Sequence, residues 1–195
     1  ACPKAEKFLF SSSVSVYGET KEKASEQTPP NPRNFYGESK LAAEQAIQGS
    51  GTPSLIFRPS VVYGAGSPIW ERVLGFFSKG FPIPRTRNVV NLVHVSDVSR
   101  AFQLGLRKGK GTYNIAADSP VPLNDLALTL SAHLGIKPKF WPAPLVLFLA
   151  GLKGKSQDLK AWISNRDYDN SKARKELGFS PQADPWKEIK NMVEW

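Results

Sequence analysis

The sequence predicts an α/β fold built on a mainly parallel sheet, with a smaller α/β lobe toward its C-terminal end. Two observations predict it. Short apolar runs alternate with helical stretches of about 10 to 14 residues, the pattern of βαβ units. The last third is richer in helical pieces, so residues 1–118 are expected to form most of the sheet domain, with some interleaved lobe segments, and residues 119–195 mainly the lobe. Ligands of open α/β sheets bind outside the strands' C-terminal edge, where such a lobe would sit.

The elements follow in order. Phe8-Leu9-Phe10 runs into Ser11-Ser12-Ser13, a buried parallel strand that delivers hydroxyls to its C-terminal end. Such a strand needs neighbours on both sides, and little sequence precedes it. The N-terminal strands of the sheet are therefore expected to be missing from this chain, leaving an apolar edge open to pairing. Thr28-Pro29-Pro30-Asn31-Pro32 is a loop, and Phe35 to Gln48 is a helix ended by Gly49 and Gly51. Ser54 to Phe57 is a second strand. Ile69 to Lys79 has helical apolar spacing until Pro82 and Pro84 break it. Val89 to Val95 is a third strand, and Asp97 suits the N-cap of a helix reaching Arg107. Thr112 to Ala116 is a fourth strand. A helix opened by Asn124 or Asp125 runs to Leu134 and closes at Gly135. Lys139 to Trp141 is a short strand, and Leu145–Leu152, Ser171–Leu177 and Trp186–Trp195 are helical.

Hydrophobic residues at 41% and charged residues at 22% describe an ordinary globular chain. The net charge of +9 is the unusual value, but its cations are scattered. The densest groups, Lys21 with Lys23, Arg85 with Arg87, and Arg107 to Lys110, read as a solvated basic surface rather than a nucleic-acid patch. A single cysteine, Cys2, forms no internal disulfide and implies a reducing compartment; beside an exposed start, it is not expected to be catalytic. No apolar run approaches the length of a membrane span, and the start lacks a signal-peptide layout. A cytoplasmic protein without a membrane partner is expected.

Tyr36 and Lys40 carry the candidate chemistry. At i and i+4 they share a helix face, and an ammonium beside a phenol favours phenolate, the state needed to exchange a proton with a carbonyl or alcohol oxygen. The spacing alone describes a surface tyrosine beside a surface lysine equally well.

The surrounding motifs narrow the choice. Ser11-Ser12-Ser13 leads into Val16-Tyr17-Gly18, and then comes the Tyr36-x-x-x-Lys40 helix. Arg58-Pro59-Ser60-Val61-Val62-Tyr63-Gly64, Val93-His94-Val95-Ser96-Asp97-Val98 and Tyr113-Asn114-Ile115 follow, and Asp169 to Phe179 ends the series. In this order the sequence resembles the extended short-chain dehydrogenase/reductases, the NAD-dependent epimerase/dehydratase family. The resemblance implies a Rossmann-like sheet, NAD or NADP as cofactor, and hydride transfer on a nucleotide sugar or a related keto or hydroxy substrate. By the resemblance, Tyr36 is the general acid/base, and Lys40 tunes it and holds the nicotinamide ribose. Ser13 bonds the reacting oxygen. Ser11, Pro59, Val61 and Val62 line the cofactor site. It also implies a homodimer formed through the Tyr36 helix and its predecessor. His94 is expected to pack beside the sheet, His133 to lie on a helix surface, and Phe140-Trp141-Pro142 to fill the lobe core.

Three departures accompany the resemblance. The family's glycine-rich cofactor turn does not occur in these 195 residues; Gly64-Ala65-Gly66 lacks a third glycine at Ile69 and is followed closely by Pro68. Ala1 to Lys7 look like the end of the family's preceding helix, so the chain reads as a fragment, inactive alone, whose N-terminal half is supplied in cis or trans. Val61 stands where sugar epimerases carry a diphosphate-binding asparagine, and Val90 and Asn91 where they tend to carry an arginine. Arg85 or Arg87 is the expected substitute. These losses keep open a 3β-hydroxysteroid-dehydrogenase-like or 4-ketoreductase activity, and the basic charge keeps open a non-catalytic binding module on the same fold.

Overall fold

A three-stranded parallel sheet lies at the centre of the computed structural model. The structure describes residues 6–64, 67–152, 154, 159–160 and 163–192. Strand β1 (Phe8–Ser11) pairs with β2 (Ser54–Pro59) in register Phe8 to Ser54, and β2 pairs with β7 (Gly111–Ile115) in register Leu55 to Gly111. Among the described residues β1 has no second neighbour, and Phe8 at its start is exposed, so it is the open edge expected from the sequence. Cys2 and most of the Ala1–Lys7 segment lie outside the described residues.

Period-two alternation splits β2 between two helical layers. Leu55 and Phe57 face α3 (Val95–Arg107) and pack with Tyr113, Ile115, Ala173, Leu177 and Phe179. The helix approaches so closely that a Cβ on its Gly105 would stand 2.7 Å from the Phe57 ring and 2.8 Å from Leu55. On the opposite face Arg58 reaches α1 (Phe35–Gly49). A 3₁₀ turn, Val14–Tyr17, carries the chain out of β1 and packs with Ala24, Ala116 and Tyr168.

The lobe uses shorter pairs. Strand β3 (Val61–Tyr63) lies parallel to β6 (Leu92–His94), β4 (Ile83–Arg85) parallel to β9 (Phe140–Pro142), and β5 (Val89–Val90) antiparallel to β8 (Val121–Pro122). Helices α2 (Pro68–Ser78), α4 (Leu123–His133), α5 (Ala143–Gly151) and α6 (Pro185–Met192) surround them. Trp70, Val73, Ile83, Leu92, Leu126 and Leu130 fill their shared core.

Four sequence expectations need correction. The strand expected over Val89–Val95 is broken at Asn91, whose buried side chain accepts from the Tyr168 N–H at 2.6 Å and donates to the Ala117 carbonyl at 3.1 Å. Those bonds bind Asn91 to other segments, and the chain changes partner strand there. Asp97 is not the cap of α3. The His94 ring takes that position by accepting from the Ser96 N–H, and Asp97 is buried one turn in, bonded to Arg100 and to the N–H groups of Gln182 and Ala183. Ser171–Leu177 is not a regular α-helix, because its last five residues wind as a π turn closed by left-handed Gly178. Finally, Phe140-Trp141-Pro142 forms β9 at the rim of the lobe, with Phe140 half-buried and Trp141 and Pro142 exposed, rather than filling its core.

Candidate active site

The Tyr36 helix starts where the sequence permits it to touch the serine turn. Asn34 caps α1 by accepting from the Gly37 N–H at 2.8 Å. Gly37 faces the 3₁₀ turn; a Cβ there would stand 2.6 Å from the Ser15 carbonyl oxygen and 2.9 Å from Pro32. Only glycine lets helix and turn meet at this distance. The first turn of α1 is thereby seated against the residues that follow Ser13.

Lys40, one turn further along, crosses to the end of β1. Its ammonium donates to the Ser11 carbonyl at 2.9 Å and lies 5.7 Å from the centroid of the Tyr36 ring and 5.1 Å from that of Phe10. Tyr36 is 52% exposed, its ring open toward solvent. Ser13 is nearly buried. Its hydroxyl accepts from the Ser15 N–H at 3.1 Å and donates to the Ser15 hydroxyl at 3.1 Å. The structure thus brings Ser11, Tyr36 and Lys40 together directly and sets Ser13 beside them, with no Ser13–Tyr36 hydrogen bond among the described residues. Pro59 is buried at the end of β2, and Val61 and Val62 are half-buried in β3. Arg85 and Arg87 are exposed, Arg85 at the end of β4. A polar cavity of about 560 Å³ opens instead between Glu19, Thr20, Lys21, Arg33, Asn88 and Asn165. His94 is half-buried against Tyr63, and His133 is exposed on α4.

Beneath these residues runs a buried polar chain. Glu44, two turns beyond Tyr36 on α1, accepts from the Arg58 Nε at 2.9 Å and Nη2 at 2.5 Å, and also from the Ser12 hydroxyl. Arg58 Nη1 donates to the Tyr17 hydroxyl at 2.9 Å, which donates to the Asn114 Oδ1 at 2.7 Å. The Asn114 amide donates to the Ala24 and Asp169 carbonyls, and its backbone N–H donates to Glu26 at 2.7 Å. Burial opposes the Arg58 charge, but the bonds to Glu44 and Tyr17 outweigh it and raise its pKa. Burial also raises the Tyr17 pKa despite Arg58, so the phenol stays protonated and serves as a donor. Ser12, Tyr17, Arg58, Asn114 and Asp169 stand in the motifs read from the sequence, yet nothing there assigned them a role. The signal was present: Tyr36, Lys40 and Glu44 recur at intervals of four, one continuous helix stripe.

Set against known proteins, the sequence profile of the NAD dependent epimerase/dehydratase family matches residues 1–116. The uncharacterized protein y4nG of Sinorhizobium fredii is 32% identical over 91% of this chain and 50% of its own length. Human dTDP-D-glucose 4,6-dehydratase is 28% identical over 98% of this chain and 57% of its own length. Among solved structures, MoeE5 in complex with UDP-glucose and NAD superposes with a TM-score of 0.76 at 25% identity, covering 97% of this chain and 64% of that one. The chain spans about half the length of the curated relatives it matches.

Proposed function

This chain belongs to the NAD dependent epimerase/dehydratase family, and from that premise we propose that it carries the acid/base and substrate-facing part of an enzyme acting on a nucleotide sugar. The observation that carries the reading is the Lys40 ammonium spanning the Ser11 carbonyl and the face of the exposed Tyr36 ring. Similarity to a dTDP-glucose dehydratase and to a protein solved with UDP-glucose and NAD supports the substrate class.

The residues present fit the nicotinamide end of the cofactor. A lysine has three N–H donors, and the Ser11 carbonyl takes one, leaving two for ribose hydroxyls. Pro59, Val61 and Val62 would supply apolar contact beside them. Bound nicotinamide supplies the hydride acceptor and donor; the rest falls to side chains of this chain. Tyr36 exchanges the proton of the sugar hydroxyl or carbonyl oxygen. Ser13 turns its hydroxyl from Ser15 toward that same oxygen and holds it. Lys40 keeps a positive charge beside the phenol throughout. Lys21 and Arg33, which line the polar cavity, add to Arg85 and Arg87 as candidate partners for an anionic substrate.

No glycine-rich pyrophosphate turn occurs in these 195 residues, so the isolated chain is proposed to bind NAD(P) weakly and to be inactive alone. Micromolar affinity by calorimetry on this chain would overturn that. In the intact enzyme Tyr36→Phe is expected to abolish turnover of UDP- and dTDP-sugars while leaving cofactor affinity nearly unchanged. Undiminished turnover would remove Tyr36 from the mechanism.

A further inference from the structure

Helix α5 turns most of its apolar surface outward. Residues 143–152 read Ala-Pro-Leu-Val-Leu-Phe-Leu-Ala-Gly-Leu, a composition that belongs in a core. In the structure Val146 is buried and Leu147 packs on the lobe core, but the other large side chains are open. Leu145 is 45% exposed, Phe148 64% and Leu152 71%, with Leu149 and the neighbouring Trp141 close to 40%. Positions 145, 148, 149 and 152 fall on one helical stripe, so their exposure is a single face, and Trp141 in β9 leads into the helix. Exposed Phe81 precedes Ile83, the strand partner of Phe140, by two residues and so adjoins this end of the lobe.

The charge around this face is one-sided. From Leu126 to Gln157 the sequence contains no Asp or Glu, but it contains Lys137, Lys139, Lys153 and Lys155. Lys137, Lys139 and Lys160 are exposed, and so is Arg85, whose strand partner is Pro142 at the start of α5. At 1.5 Å per residue, nine residues extend about 14 Å, roughly half the hydrocarbon thickness of a bilayer. No helix among the described residues is long and apolar enough to cross a membrane.

We propose that the α5 face is a peripheral docking site for an anionic lipid bilayer. Trp141, Leu145, Phe148, Leu149 and Leu152 enter the boundary between headgroups and acyl chains, and the exposed Arg85, Lys137 and Lys139 meet anionic headgroups. Charge selects this occupant over a second copy of the chain. A two-fold contact through the face would bring the exposed Arg85, Lys137 and Lys139 of one copy toward those of the other. The inference is independent of the active-site reading, and its test uses no turnover.

The test is flotation of the 195-residue chain with vesicles of phosphatidylcholine alone and of phosphatidylcholine mixed with phosphatidylglycerol. Binding is expected to the mixed vesicles, on the order of tenfold weaker to the neutral ones, and to fall as salt is raised. Leu145→Gln/Phe148→Gln should lower binding to mixed vesicles at least about tenfold with an unchanged circular dichroism spectrum. Lys137→Glu/Lys139→Glu should lower it through the charge alone. No flotation of the wild-type chain would overturn the proposal, as would equal flotation of the glutamine variant. Analytical ultracentrifugation showing a dimer that the glutamine variant dissolves would instead make the face a contact between copies.

Discussion

Removing the Glu44 carboxylate would test the buried chain under the active site. In Glu44→Ala the Arg58 guanidinium, whose side chain is 6% exposed, loses two of its three bonds and keeps only Tyr17. The Ser12 hydroxyl loses its acceptor at the same time. Breaking a buried ion pair from one side costs about 3–5 kcal/mol, because the remaining charge stays out of water. A domain of this size is stable by roughly 5–15 kcal/mol and shifts its Tm by about 2–4 °C per kcal/mol, so a fall of roughly 6–20 °C is expected. The double variant Glu44→Leu/Arg58→Met removes both charges and should recover most of the loss, since an apolar pair of similar volume is often neutral or better. Urea denaturation of the wild type, Glu44→Leu, Arg58→Met and the double variant closes a cycle whose coupling energy should be favourable by about 2–3 kcal/mol. A Glu44→Ala chain within about 1 kcal/mol of the wild type would refute the reasoning, as would a double variant no more stable than either single one.

Two other predictions rest on single contacts. Gly37→Ala drives a methyl to 2.6 Å from the Ser15 carbonyl and should cost about 1–3 kcal/mol in urea, despite alanine's better helix propensity; a gain in stability would show that the turn yields freely. Burial raises the Glu26 pKa against the pull of its bond to the Asn114 N–H. Its stabilising contribution is therefore complete below the ordinary glutamate value and is lost as pH rises through the folded value. Glu26→Gln keeps an acceptor for that N–H without the charge, so it should raise the Tm at pH 7, with the difference closing near about pH 4. A variant less stable than the wild type at pH 7 would contradict this.

The strands of the central sheet were legible because burial on both faces leaves continuous apolar runs such as Ser54–Phe57, and the Tyr36 helix because Gly49 and Gly51 mark its end. Strands β3, β4 and β8, of two or three residues each, carry too little pattern to be read, and their pairing is set by the lobe rather than by propensity. Asn91 shows the same limit inside an apolar run: the bonds that break the strand reach residues 117 and 168. Trp141 fails in the opposite sense, since composition points inward and the chain places it outward. At the site, Tyr36, Lys40 and the serines were marked by motif. The Glu44–Arg58 pair was invisible as a pair, because residues 14 apart on a helix and a strand meet only when that helix covers that sheet face.

The buried chain from Ser12 to Asp169 also bears on how the molecule assembles. Tyr17 meets Asn114 across 97 positions of sequence, and Asn114 meets Ala24 across 90 and Asp169 across 55. Each bond closes a long loop, and loop-closure entropy is lost before such contacts return anything. The floor beneath Tyr36 and Lys40 is therefore expected to form late in folding. A ribosome-bound chain that has emerged only through α1 holds both residues but none of Arg58, Asn114 or Asp169. It has the site's letters in the right order and not yet its geometry.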